Sequence, residues 1–444
     1  MSFADTVSQI SKIIWSPALV VLLIIAGLFF TAGTRFVQVR HFKDMLKSLF
    51  AVKAGQGKGI SSFEAFCMAL SGRIGTGNIV GVATAIAIGG PGAVFWMWLI
   101  AFFGAATAFM ESTLAQKYKF QHESGFRGGP FSYIEAGLKQ KWLGVFYAVA
   151  VILGYGVCLV TVQANGLGSS MNNAFGVTPL YAGIGFAVLL GIVIFGGVRS
   201  ISKVASIVTP FMALGYIVVA LIVIFCNLEA VPGVFARIFH GAFGVGAVGG
   251  GALGTTIMMG VKRGIFSNEA GQGSGAIVSA SADVSNPVRQ GFAQSFSVYV
   301  DTLFVCTATA LMILIAAPQD LGNNFAGYTQ AAIDSVFPGF GSGFVSVAMI
   351  FFVYTTVMAY YFYSESSLIY LMRKRQGSRL EKVLVVLLRF ALLAAAVLGT
   401  VYESTVTWDL GDIAVGIQAW VNVVALLLLS KQGFKALRDY EKGV

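Results

Sequence analysis

The chain has 444 residues, of which 57% are hydrophobic and only 11% charged. A soluble domain keeps about a quarter of its residues charged to cover itself with wettable surface, so the composition excludes a water-soluble globular protein. The net charge of +10 points towards nucleic acid only until the charges are placed along the chain, where they mark membrane orientation instead.

Apolar stretches of about 20 residues, each able to cross about 30 Å of hydrocarbon, recur at 15–34, 62–88, 93–116, 142–165, 179–198, 204–226, 240–261, 290–316, 342–371, 383–401 and 410–430. Eleven spans predict an all-α polytopic membrane protein. The first stretch lacks the basic head of a signal peptide, since Lys12 is offset by Asp5, and it reads as a retained helix. Nearly all Lys and Arg fall in connections that follow odd-numbered spans, and Lys12 and Arg237 alone lie in connections on the other side. The positive-inside rule then puts the N-terminus outside and the C-terminus in the cytoplasm. Cys67, Cys158, Cys226 and Cys306 all sit in spans and read as packing residues, and three His with no Cys/His spacing give no zinc motif.

Two spans do not read as plain helices. The second carries Ser71-Gly72-Arg73-Ile74-Gly75-Thr76-Gly77-Asn78 midway, and the seventh carries Gly244, Gly246, Gly249, Gly250, Gly251 and Gly254. With the first span set aside, these are spans one and six of ten, each opening a five-helix half. The halves are 61–228 and 229–430, flanked by an extra N-terminal helix with its basic loop (1–60) and a basic tail (431–444). An odd number of spans per half inverts the second half. Glycine-interrupted spans at matching positions point to a transporter site. A break frees N–H and C=O groups that lipid cannot satisfy, and the restarted helix presents a positive N-terminus suited to a carboxylate. The alternative use of these glycines is close helix packing.

Arg73, Asp301 and Glu365 lie within spans, where a lone charge is costly and pairs or lines water. Similar depth suggests a gating pair between Arg73 and either Asp301 or Glu269. Glu64 and Glu111, near cytoplasmic ends, fit snorkelling. Glu269 and Asp283 fit a solvated cytoplasmic connection. Gln163 and Asn165, late in the fourth span, can meet a substrate or bridge helices.

Gly89-Gly90-Pro91-Gly92-Ala93-Val94-Phe95-Trp96-Met97-Trp98, running on to Gly104, resembles the signature of the alanine or glycine:cation symporters, and Gly264-Ile265-Phe266-Ser267-Asn268-Glu269-Ala270-Gly271 resembles a second block of that family. The resemblance covers nearly the whole chain. It implies a five-plus-five inverted-repeat transporter fold in a prokaryotic plasma (inner) membrane, and uptake of a small neutral amino acid, alanine or glycine, coupled to Na⁺ or less often H⁺. Glutamine and D-alanine stay open as substrates. The resemblance implies that N–H groups near Gly75, Thr76 and Gly77 receive the substrate carboxylate and that Asn78 caps the outer half-helix. It adds Gln163, Gly250, Gly251 and Tyr360 to the substrate pocket. The carbonyls of Ser71 and Ile74, with the hydroxyls of Thr355 and Thr356, would hold the cation, although both threonines can instead bond back to their own helix. Where the family has Gly-Trp after the paired threonines, this chain has Ala359-Tyr360, which leaves the side-chain pocket open. No metalloprotease, aspartyl or Ser/His constellation suggests an enzyme, and no cofactor beyond Na⁺ is implied. A passive channel is the reading from a different class, with no nucleic-acid partner in either.

Overall fold

The computed structural model describes residues 2–51, 59–243, 250–318, 322 and 324–443, with the backbone alone for 250–252. The helices are α1 (Phe3–Ile14), α2 (Pro17–Gly33), α3 (Phe42–Leu49), α4 (Ser62–Arg73), α5 (Gly77–Gly89) and α6 (Ala93–Lys117). A hairpin of β1 (Phe120–His122) and β2 (Gly125–Arg127) leads into α7 (Pro130–Leu138). Then come α8 (Lys141–Phe175), α9 (Pro179–Ile194), α10 (Gly197–Phe225), α11 (Val231–Ala242), α12 (Gly250–Asn268) and α13 (Ser274–Ala280). The chain ends with α14 (Pro287–Ala316), α15 (Phe325–Asp334), α16 (Gly341–Met372), α17 (Arg379–Val401) and α18 (Ser404–Glu441).

Eight segments among the described residues are long and apolar enough to span a membrane: 3–33, α6, α8, α10, α14, α16, α17 and α18. α9 is a shorter apolar helix, and the remaining two expected spans are split into α4–α5 and α12–α13. Their outer faces expose rows such as Val188, Leu189 and Ile192, or Ile207, Phe211 and Leu214, as lipid contact requires. The tail expected at 431–444 is not separate, because α18 continues to Glu441, where Arg40 holds that carboxylate at 2.6 Å. The hairpin and α1 were not foreseen. α1 is set by a Ser2/Asp5 capping box, and the Trp15 indole donates to Asp412 O at 2.8 Å.

Local chemistry explains the first split. Ser61 and Glu64 form a capping box that starts α4, so Glu64 is a cap residue rather than a snorkelling one. α4 stops at Arg73 because Ile74 is extended (φ −80°, ψ 93°). The chain restarts at Gly77 with a π-helical turn through Gly81, a form that favours functional sites.

The second split lies elsewhere than expected. The span expected at 240–261 is instead α12, from Gly250 to Asn268, and 240–242 belongs to α11. Gly250, Gly251 and Gly254 are helical, while 244–249 lie outside the described residues. The interruption is Glu269–Gly273, where Glu269, Gly271 and Gly273 have φ of +54°, +86° and +88°. Glycine carries the last two turns because a side chain there is strained. Hydropathy reads Lys262, Arg263 and the polar run that follows as leaving the membrane. They are instead enclosed by protein: Glu269 and Asp283 are each 1% exposed, so neither is a solvated carboxylate.

α6 packs along α14, α12 and α2, while α4 packs on α10 and α16. Small residues permit the closest of these approaches. A Cβ on Gly260 would lie 2.5 Å from Ala93 O, and one on Gly264 would lie 2.6 Å from Ile100 Cγ2. Gly264→Val is therefore expected to overpack the α6–α12 contact and cost about 1–3 kcal/mol. Its thermal midpoint in detergent should fall, whereas the same change at Gly215, with open space around it, should leave the midpoint in place.

Candidate functional site

The break between α4 and α5 has its backbone bonded by side chains from three helices, α5, α8 and α16. Gly75 N–H donates to Asn78 Oδ1 at 2.8 Å and Thr76 N–H to Gln163 Oε1 at 2.9 Å. Asn78 thus caps the break by reaching back, and its Nδ2 donates onward to Asp301 Oδ1 at 2.7 Å. A Cβ on Gly77 would sit 3.2 Å from Phe266 Cδ1, so α5 begins directly against α12.

The carbonyls freed at the end of α4 converge on one hydroxyl. Thr356 Oγ1 lies 2.9 Å from Ser71 O, 2.9 Å from Ile74 O and 2.7 Å from Phe352 O. A hydroxyl has one proton to donate. It can satisfy one of these carbonyls, which leaves hard oxygen lone pairs directed at a common point, the donor set that suits Na⁺. The structure does not bring Thr355 into this set. Its hydroxyl bonds back to Phe351 O and Phe352 O at 3.0 and 3.2 Å and faces Met212. One residue along a helix is about 100° around its axis, and here Thr355 faces Met212 while Thr356 faces the α4 carbonyls.

On the other flank, Gln163 Nε2 donates to the Tyr360 hydroxyl at 3.3 Å. The Tyr360 ring meets Tyr155 edge-to-face at 4.8 Å, and Tyr155 meets Tyr363 at 4.9 Å. Tyr360 therefore lies beside the break, against Gln163 and Tyr155. Thr76 Oγ1 and Asn268 Nδ2 are buried here without partners among the described residues. Asn165 is not in this group. It donates to Gly399 O and Tyr402 O and bridges α8 to α17. Gly250 and Gly251 open α12, at the opposite end of that helix from Ser267.

Arg73 forms no ion pair with Asp301 or Glu269 among the described residues. It donates to Asn268 O at 2.6 Å, to Gln294 Oε1 at 2.9 Å and to Ser297 Oγ. The reason is helical: Arg73 ends α4 and Asn268 ends α12, and a cation fits where two negative helix C-termini meet. Asp301 is held by other donors, Ser267 at 2.9 Å, Thr302 at 2.7 Å and Asn78. Glu269 accepts from Ser274 at 2.7 Å and Tyr363 at 3.3 Å. Glu365 faces Arg127 and Arg389 at 3.7 and 3.8 Å. Ser267, Tyr155 and Tyr363 were missed because sequence spacing gives no sign of them. Tyr155 and Asp301 lie, buried, in the π-helical turns at Gly154–Cys158 and Tyr299–Cys306.

Two cavities flank the site. One of about 270 Å³ is lined by Val80, Asn165, Gly166, Thr400 and Trp408, and one of about 910 Å³ by Glu64, Arg127, Lys203, Glu365 and Arg389. Thr76, Asn78, Gln163 and Thr356 are at most 1% exposed and line neither. Above them, Asp412 binds Lys262 at 2.6 Å and Arg263 at 2.9 Å, and Arg263 stacks 4.6 Å over Trp408.

The Arg73 geometry gives a direct test. Arg73→Gln should lower the thermal midpoint in detergent, since it leaves the Asn268 carbonyl and the Gln294 side chain unmatched at a cost of about 1–3 kcal/mol each. Exchanging the charges of Arg73 and Asp301 should not restore the loss. Full recovery in the double variant would show a direct pair.

A family model described as the sodium:alanine symporter family matches residues 1–444. A sodium/proton-dependent alanine carrier protein of Bacillus sp. strain PS3 is 47% identical over 86% of this chain and 88% of its own length. The "Probable sodium/glutamine symporter" of Bacillus subtilis is 43% identical over 97% and 89%, and a sodium/alanine symporter of Methanococcus maripaludis 37% over 97% and 95%. Among solved structures, an MhsT complex with L-phenylalanine aligns with a TM-score of 0.57 at 15% identity, covering 86% of this chain and 97% of that one. An outward-open Na⁺-coupled sialic acid symporter aligns at 0.59 and 11%, covering 91% and 86%. The chain shares their inverted-repeat transporter fold and belongs to the sodium:alanine symporter family.

Proposed function

We propose that this member of the sodium:alanine symporter family takes up a small neutral amino acid at the α4–α5 break, with Na⁺ bound beside it between α4 and α16. Secondary active symport with Na⁺ as coupling ion is the activity of the family. The reading of the site rests on one observation: Thr356 Oγ1 gathers the Ser71 and Ile74 carbonyls at 2.9 Å.

The substrate carboxylate takes the Thr76 N–H now used by Gln163 Oε1. The positive end of α5 favours that exchange, because a carboxylate accepts more strongly than an amide. Thr76 Oγ1 and Asn268 Nδ2 offer further polar contacts. Tyr155 and Tyr360 close the side-chain end, and a wall of two rings around a glycine-lined break suits alanine or glycine better than glutamine. The paired interruptions support repeats at 61–228 and 229–430.

The basic connections support a cytoplasmic C-terminus and an N-terminus on the outer side. The wider cavity by Arg127 and Glu365 is then cytoplasmic, and the Asp412–Arg263–Trp408 layer seals the outer side. Alternating access opens these in turn. One Na⁺ crossing ~100 mV supplies about 2.3 kcal/mol, and a tenfold gradient adds about 1.4. Together they support accumulation of roughly several hundred fold.

Labelled alanine uptake into proteoliposomes, competed by glycine, glutamine and D-alanine, tests the substrate. Uptake should need an inward Na⁺ gradient and overshoot equilibrium. Equilibration that ignores the gradient would mean a channel. Thr356→Val should raise the half-saturating Na⁺ concentration by about tenfold, equal to about 1.4 kcal/mol. Thr355→Val should leave it where it is.

A further inference from the structure

Glu111 is a buried acid that the transport site does not use. It lies on α6 at 0% exposure, so it does not snorkel to water. Its Oε2 accepts from Asn422 Nδ2 at 3.0 Å, and its Oε1 has no hydrogen-bond partner among the described residues. The groups around it come from every neighbouring element: Arg73 of α4, Glu269 and the Gly271 backbone at the second interruption, Tyr133 of α7, Tyr147 of α8 and Asn422 of α18.

Charge does not balance in this region. Glu111, Glu269 and Asp301 all interact with Arg73, and Arg73 donates its hydrogen bonds elsewhere. Three buried carboxylates share one guanidinium. An ionised carboxylate away from water costs several kcal/mol unless donors meet its lone pairs. Asp301 has three side-chain donors and Glu269 has two hydroxyls. Glu111 has one side-chain donor, the Asn422 amide, beside the Gly271 backbone. Asn422 cannot turn to offer more, because Tyr133 donates to its Oδ1 while its Nδ2 also serves Gly271 O at 2.9 Å.

We propose that Glu111 binds a proton at Oε1, at a site distinct from the Na⁺ position at Thr356, and that this proton steadies the Glu269–Gly273 interruption through Asn422. A proton fits where Na⁺ does not. The side chain hydrogen-bonded to Glu111 is the Asn422 amide, a donor, and among the described residues no second oxygen ligand is bonded beside it to make up the several hard oxygens that Na⁺ takes. Release of the proton leaves a second buried carboxylate beside Glu269, with its Oε1 met by no hydrogen-bond donor among the described residues. The interruption, with its Gly271 and Gly273 turns, is then driven to rearrange. Proton loading thus acts on the hinge of the second broken helix, whose Ser267 end reaches Asp301 and the substrate break.

Infrared difference spectroscopy on the reconstituted full chain tests the assignment without transport. A carbonyl band of a protonated buried carboxyl should be present at neutral pH, persist in Glu269→Gln and vanish in Glu111→Gln. Absence of the band from the unmodified protein, its loss in Glu269→Gln, or its survival in Glu111→Gln would overturn the proposal. The first two results are available even where Glu111→Gln does not fold. The transport arm rests on the symport reading above. At a fixed Na⁺ gradient, uptake by the unmodified protein should fall as pH rises through the titration, by up to about tenfold per unit for one required proton, and Glu111→Gln should flatten that slope. An unchanged slope in Glu111→Gln overturns the proposal. Absence of Na⁺-driven uptake at every pH would count against the symport reading and leave the infrared assignment standing.

Discussion

The buried guanidinium of Arg73 joins the two interrupted helices of this protein. It ends α4, and it grips the last carbonyl of α12 at 2.6 Å while holding Gln294 and Ser297 of α14. Lipid cannot satisfy the polar groups that a broken helix exposes, so each break needs donors and acceptors from the protein itself. Arg73 meets that need for the C-terminal ends, where the partial charge is negative. Asn78 and Gln163 meet it for the N-terminal start of α5. The position of one cation thus fixes how close the two breaks lie.

That closeness makes the site a unit. A chain of contacts runs from Gly75 through Asn78 to Asp301, and from Asp301 to Ser267 on α12. Movement of either broken helix is felt by the other within a few hydrogen bonds. Thr356, on α16, ties the α4 carbonyls to a third element. Transport needs helices that hold two arrangements and a ligand that favours one of them. A break whose backbone is held by side chains, as Gln163 holds the Thr76 N–H, provides the first requirement.

Packing supports this arrangement through small residues. Gly260 and Gly264 bring α12 against α6 so closely that a methyl group has no room. Membrane helices associate by such contacts, because lipid is as apolar as leucine and gives no hydrophobic drive between them. The aromatic–cation layer of Arg263, Trp408 and Phe266 closes one end of the site with one fully enclosed carboxylate, Asp412.

Hydropathy and glycine patterning by themselves marked most of the spans and the break at Gly75-Thr76-Gly77-Asn78, while the grouping of Ser71 and Ile74 with Thr355 and Thr356 came only from the family resemblance. Lipid imposes a length and a composition on every span, and an interruption in mid-span leaves a local mark. The tertiary structure alone decided the second interruption. Lys262, Arg263 and the polar run to Gly275 look like a loop because composition cannot tell burial in protein from exposure to water. It also decided that Thr355 turns away, that Arg73 binds carbonyls rather than Asp301, and that Glu269 and Asp283 are buried. Each of these depends on rotation about a helix axis or on a partner roughly 200 residues away, and no local pattern records either.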